Sequence, residues 1–194
     1  MRPLFIIGLF LLVCGCNNRS STAADVNTAE AEKPASFFPV TAFIKGQLRE
    51  IGSSITPLKY TTIDGHTDSA WLKSEELGLA FAEFLTPVID STNLTGLFTE
   101  NKFVDRSYND AITFTYEPRQ QLPDTMALKM WTVYIDPEKN TVQKVYLKKE
   151  KGNKELQLTW QTGKWASTIT IANNPDGTSK VEKEEKIIWD FNNR

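Results

Sequence analysis

Apolar residues along this chain follow two periods, helical in the first half and alternating in the second. Val40, Phe43, Ile44, Leu48 and Ile51 make one stripe that starts behind Pro39, a residue suited to a first helical turn, and ends at Gly52. Leu77, Ala80, Phe81, Phe84 and Leu85 make a second, with Ser74 as N-cap, Glu75 and Glu76 in the first turn, and Val88 just past Pro87. Two helices are therefore expected. Gly46 and Gly78 each cost about 1 kcal/mol against Ala inside a helix, which predicts close backbone approach to a neighbour at both.

The second half reads as strands joined by hairpins. Turn signals fall at Asp136-Pro137-Glu138-Lys139-Asn140, Gly152-Asn153, Thr162-Gly163-Lys164 and Asn173-Asn174-Pro175-Asp176-Gly177, about every 10 to 12 residues. Between them Ile112, Phe114 and Tyr116 share a face, as do Trp131, Val133 and Ile135; Leu156, Leu158 and Trp160; Trp165, Ile169 and Ile171; and Ile187, Trp189 and Phe191. Thr, Lys, Gln and Glu hold most alternate positions, so the other face is wet. The expected fold is α+β: two helices packed on one face of a bent antiparallel meander of about six strands, built from residues 36–194. The inward residues are mostly large, and the helices add Phe43, Phe81 and Phe84, so the interior is expected to be filled.

The N-terminus follows a different logic. Met1-Arg2 is a positive start, and Leu4 to Val13 is an apolar run far shorter than the roughly 20 residues of a membrane-spanning helix, which marks a signal peptide. Leu12-Val13-Cys14-Gly15-Cys16 resembles the lipobox of bacterial lipoproteins. That resemblance implies removal of residues 1–15, a lipid on Cys16, and attachment to a membrane through it. Asn17 after the modified cysteine, with no acidic cluster behind it, implies the outer membrane and its periplasmic face. Residues 17–35 are rich in Asn, Ser, Thr, Ala and Glu and read as a tether with an r.m.s. span of about 25 Å. The chain has 2 cysteines, Cys14 and Cys16, so the exported domain carries no thiol and no disulfide.

Composition narrows the chemistry. With 22 basic against 24 acidic residues and a pI near 5.6, no large cationic surface for nucleic acid is expected. A single histidine, His66, excludes sites built on two imidazoles. Asp64-Gly65-His66-Thr67-Asp68-Ser69 places two carboxylates around it, which could hold a divalent metal or orient His66 as a general base, or could be a solvated turn announced by Asp-Gly. The run resembles a stretch of the outer-membrane-protein-A-like peptidoglycan-binding domains, where Gly-His-Thr-Asp lies between a strand and a helix. The helix expected here from Ser74 to Leu85 lacks the Arg and Asn of that family. Lys59-Tyr60-Thr61-Thr62-Ile63, Tyr134-Ile135-Asp136-Pro137 and Leu156-Gln157-Leu158-Thr159-Trp160 are similar to stretches of uncharacterised lipoproteins of Gram-negative bacteria.

Two further features have competing readings. Lys148, Lys149, Lys151 and Lys154 would attract an anionic lipid or glycan, or guard a sheet edge. Trp160 and Trp165 would grip a sugar ring, or belong to the core. Glu182, Glu184 and Glu185 among Lys180, Lys183 and Lys186 read as a solvated strand edge. The expected function is non-enzymatic binding or envelope assembly with no cofactor, the partner being an envelope protein or glycan. The alternative is a carrier of an apolar ligand in a cavity between sheet and helices.

Overall fold

The computed structural model describes residues 36–191; the expected signal peptide, the expected lipidation at Cys16 and the expected tether fall outside them. Nine strands form one antiparallel sheet: β1 (Leu58–Ile63), β2 (His66–Trp71), β3 (Phe98–Asp105), β4 (Ala111–Pro118), β5 (Leu128–Asp136), β6 (Thr141–Lys151), β7 (Lys154–Gln161), β8 (Trp165–Asn173) and β9 (Ser179–Ile188). Their order is β2-β1-β9-β8-β7-β6-β5-β4-β3, so a meander from β3 to β9 is extended by the β1–β2 hairpin. This β-rich fold replaces the expected pair of helices on six strands. The three additional strands, β1, β2 and β3, include both sheet edges and carry little buried surface; β2 is exposed along its whole length. Alternation is a signature of a half-buried strand, and these strands have almost no buried half to show.

The helical part is smaller than expected. α1 (Val40–Ser54) follows Pro39 as N-cap, runs past Gly52, and buries Val40, Thr41, Ile44 and Ile51. The second helix is broken into a 3-10 turn (Ser74–Glu76), α2 (Leu77–Ala80) and α3 (Ala82–Leu85). The break falls at Phe81, whose backbone leaves the helical region at φ −108°, ψ 12°. Its ring lies 5.2 Å from Trp160 and 6.0 Å from Trp189, and Phe84 lies 5.6 Å from Trp160. Aromatic packing against the sheet thus outweighs helix continuity, which in so short a segment is worth little. The glycine expectation also fails: a Cβ at Gly46 or Gly78 would meet nothing within 4 Å, whereas one at Gly52 would touch Leu77 at 3.4 Å.

One face of the sheet carries the helices. Trp131, Val133, Val145, Leu147, Leu158, Trp160 and Ala166 are buried there, with Tyr116 stacked on Trp131 at 4.5 Å. Phe37 packs on both rings, and the Phe38 N–H donates to the Tyr116 hydroxyl at 3.2 Å. Beneath α2 and α3, among Ala80, Phe84, Ala166 and Ile187, about 10 Å³ is open, no more than one water needs.

The phase of β8 corrects another expectation. Ala166 is the buried residue, opposite Trp160 and Ile187, so Trp165, Ile169 and Ile171 lie on the face away from the helices. Trp160 needs a small partner across the strand, and Ala166 supplies it.

Neither charged cluster guards an edge. β6 and β7 sit mid-sheet, and Lys148, Lys151 and Lys154 pair with Glu155 (2.8 Å), Glu83 (2.6 Å) and Glu182 (2.6 Å). β9 is also interior, its Glu185 held by Lys59 at 2.6 Å and Lys183 at 2.8 Å. Lys149 is buried on the helix side, where it donates to the Glu83 and Thr86 carbonyls at the end of α3 and lies 3.2 Å from the Glu83 carboxylate. It therefore caps orphan carbonyls at a helix C-terminus. Burial pushes its ammonium below the usual lysine range even though Glu83 pulls the other way. For Glu83, burial raises the carboxyl, but the hydrogen bond from Lys151 and the Lys149 charge outweigh it and hold the carboxyl low.

Candidate functional site

Asp64 and Gly65 form the two-residue turn of the β1–β2 hairpin, with φ of 48° and 80°. Positive φ at both positions is what a type I′ turn requires, and Asp-Gly supplies it. Asp64 accepts from Lys180 at 2.7 Å, which holds its carboxyl below the usual range. His66 and Asp68 lie two apart on edge strand β2, opposite Ile63 and Thr61, and both are exposed. The Gly-His-Thr-Asp stretch is thus inside a hairpin rather than between a strand and a helix. Among the described residues no group of three or more His, Cys, Asp or Glu is placed to hold a metal.

A different arrangement occupies the bare face of the sheet, opposite the described helices. Following the registers from β3 to β2, one row of side chains reads Asn101, Thr115, Thr132, Tyr146, Thr159, Ser167, Lys186, Tyr60, Ser69. Every member carries a hydrogen-bonding group. The adjacent row on the same face includes the aromatic residues Phe103, Tyr134, Trp165 and Trp71. Two residues along a strand separate the rows, about 7 Å.

At one end of this face a recess of about 660 Å³ opens between the β3–β4, β5–β6 and β7–β8 turns. Its wall is fixed by Tyr108, from the β3–β4 turn. The Tyr108 hydroxyl donates to Gln161 Oε1 at 3.0 Å, and its ring meets Tyr134 edge-on at 5.2 Å. Lys144 Nζ lies 3.7 Å from the Tyr108 ring centroid and 3.8 Å from that of Tyr134, a double cation–π contact. Burial pushes the Lys144 ammonium down, with the Asp105 charge opposing. Gln161 Nε2 donates to the Gln143 carbonyl at 3.0 Å, so this side chain is held at both ends.

Asn109, Gln143, Gln161, Thr162, Lys164 and Trp165 contribute to the lining, and Lys186 Nζ lies 4.9 Å from the Trp165 ring. Asp136 and Lys139 line it too, their charged groups 3.9 Å apart. The backbone N–H of Lys139 holds the Asp136 carboxyl below the usual range; burial opposes it, and the Glu138 N–H and the Gln143 side chain add to the lowering. That carboxylate is a fixed acceptor near neutral pH, and the recess offers donors, acceptors and ring faces.

Against models of protein families, curated proteins and solved structures, the chain finds no match. The recess is defined by its geometry alone. Of the residues singled out by sequence, Trp165 lines the recess, Trp160 is buried on the other face, and Asp64, His66 and Asp68 belong to a hairpin at the opposite end of the sheet. Tyr108, Asn109, Gln143 and Gln161 were not anticipated. The one local signal was Asn109-Asp110, both with positive φ, a turn signature that says nothing of what the turn leans on.

Proposed function

We propose that this protein is a non-enzymatic binding module of the bacterial envelope, anchored through Cys16, that presents its bare sheet face and the Tyr108–Gln161–Trp165 recess to another envelope component. The observation that carries the reading is the contrast in room: about 10 Å³ beneath α2 and α3 against about 660 Å³ in the braced recess. A ligand site needs about 300 Å³ or more. The anchor rests on the lipobox resemblance, and the outer membrane's periplasmic face on Asn17. Photo-crosslinking in the cells that make the protein tests the binding surface. A photoreactive residue in place of Lys164, at the recess, captures an envelope component, and one in place of Asp68 does not; equal capture from both, or from neither, contradicts it. Fatty-acid labelling tests the anchor: Cys16→Ser abolishes it and Cys14→Ser retains it.

A second reading, carriage of an apolar ligand, is favoured by one groove of about 470 Å³ lined by Pro87, Leu97, Pro123, Met126 and Ala127 beside Lys149 and Lys151. A lipid would lie in this open groove rather than between sheet and helices. One equivalent of a defined lipid in the organic extract of natively purified protein would put this reading first.

A further inference from the structure

Resting on the binding reading above, we propose that the ligand is a neutral oligosaccharide, one unit of which enters the recess against Trp165 while the chain continues across the strands along the aromatic and hydroxyl rows. Three observations converge on that ligand. The first is the chemistry of the lining. Amides from Asn109, Gln143 and Gln161 stand beside Trp165, and Thr162 Oγ1 is buried there without a hydrogen-bond partner. Paired hydroxyls of a sugar take one donor and one acceptor from each amide, and the C–H face of the ring packs on indole while its edge stays polar.

The second is charge. Asp136 and Lys139 offset each other within the lining, Lys164 adds an exposed lysine to it, and the Lys144 ammonium is already engaged by two tyrosine rings. An uncharged polyol is served by the amides and hydroxyls without needing a countercharge, whereas an apolar chain would strip water from them.

The third is the extent and direction of the rows. They run perpendicular to the strands across a nine-stranded sheet. The step from strand to strand is about 4.8 Å, close to the axial length of one pyranose unit. A linear glycan laid along them meets a hydroxyl-bearing or aromatic side chain on every strand except β9, which offers Lys186 and Ile188. Tyr108, tied to Gln161, covered by the Lys144 ammonium and edge-on to Tyr134, is a positioning residue that sets the recess before ligand arrives, so little ordering cost falls on binding.

The test is calorimetry of the chain lacking residues 1–15 against neutral tetrasaccharides (cellotetraose, xylotetraose, mannotetraose, chitotetraose), with tetragalacturonate as the acidic counterpart. At least one neutral tetrasaccharide should bind saturably; Trp165→Ala and Gln161→Ala should each weaken it by about tenfold or more, and Phe84→Leu, on the helix side, should not. Gln161→Glu, which keeps shape but adds charge, guards against a folding artefact: with an unchanged melting temperature it should weaken binding as Gln161→Ala does. Binding by none of the neutral sugars, stronger binding of tetragalacturonate, or indifference to Trp165→Ala overturns the proposal. If crosslinking from position 164 still captures a protein while no sugar binds, the ligand class is wrong and the binding reading stands.

Discussion

Trp160 and Trp165 flank one hairpin turn and carry the same side chain, yet they belong to opposite faces of the sheet. Trp160 is fully buried against Phe81, Phe84 and Trp189, and its strand partner is Ala166. Trp165 is half-buried, pairs across the strand with Gln161, and stands among amides and lysines. An indole surrounded by apolar surface holds the fold together; an indole surrounded by hydrogen-bonding groups is surface kept ready for something else. Around these two rings the faces differ in the same way: tight packing under α2 and α3, and braced but open polar surface at the recess.

The sharpest way to break this contrast is to truncate both rings. Trp160→Ala should cost about 3–5 kcal/mol in urea unfolding, as large core truncations do. Trp165→Ala should cost about 1 kcal/mol, since its ring is only partly withdrawn from water. Equal losses would mean that the bare face is part of the core.

Lys149 tests whether the helix side depends on polar capping as well as on rings. Lys149→Ala leaves the Glu83 and Thr86 carbonyls without their donor and should cost about 1–3 kcal/mol. Glu83, whose carboxyl is held below its ordinary value of 4.5, adds a pH dependence. A depressed carboxyl stabilises the fold above its unfolded pKa, and that stability is lost as pH falls through the lower folded value. Urea midpoints should therefore drop below about pH 4.5 in the wild type, and this part of the drop should disappear in Glu83→Gln.

Smaller effects are expected where side chains meet only water. Gly46→Ala, on the exposed side of α1 with open space where the Cβ would sit, should stabilise by about 0.5–1 kcal/mol. His66→Ala on exposed β2 should change stability by less than about 0.5 kcal/mol. Stoichiometric metal in the purified protein, lost on that substitution, would move the site to the hairpin.

What the sequence made legible follows from how each strand is buried. β7 alternates because one face is packed and the other wet; in β4 and β5 the apolar residues alternate although Ala111, Thr113 and Thr132 on the other face are buried too, and the phase of all three strands was readable from Tyr116, Trp131 and Trp160. β8 misleads because its large residues, Trp165, Ile169 and Ile171, lie on the bare face while the core accepts only Ala166. Lys149 sits among lysines that do face solvent, and nothing local marks it as the one that turns inward. β2 and β3 are edges, exempt from the alternation that would have revealed them. The recess was hidden for another reason: its residues come from three turns, near Tyr108, Lys139 and Thr162, each of which reads alone as an ordinary turn. Only the registers bring them to one end of the sheet.

The most direct measurement is a fluorine NMR titration of protein labelled with 5-fluorotryptophan, in which the 5 tryptophans report separately from the two faces. Titrated with the same neutral tetrasaccharides, the Trp165 resonance should shift saturably, with or without Trp71 at the far end of its row, while Trp131 and Trp160 hold still. Movement of Trp131 or Trp160 with Trp165 unchanged, or no movement of any resonance, would contradict the division of labour between the faces.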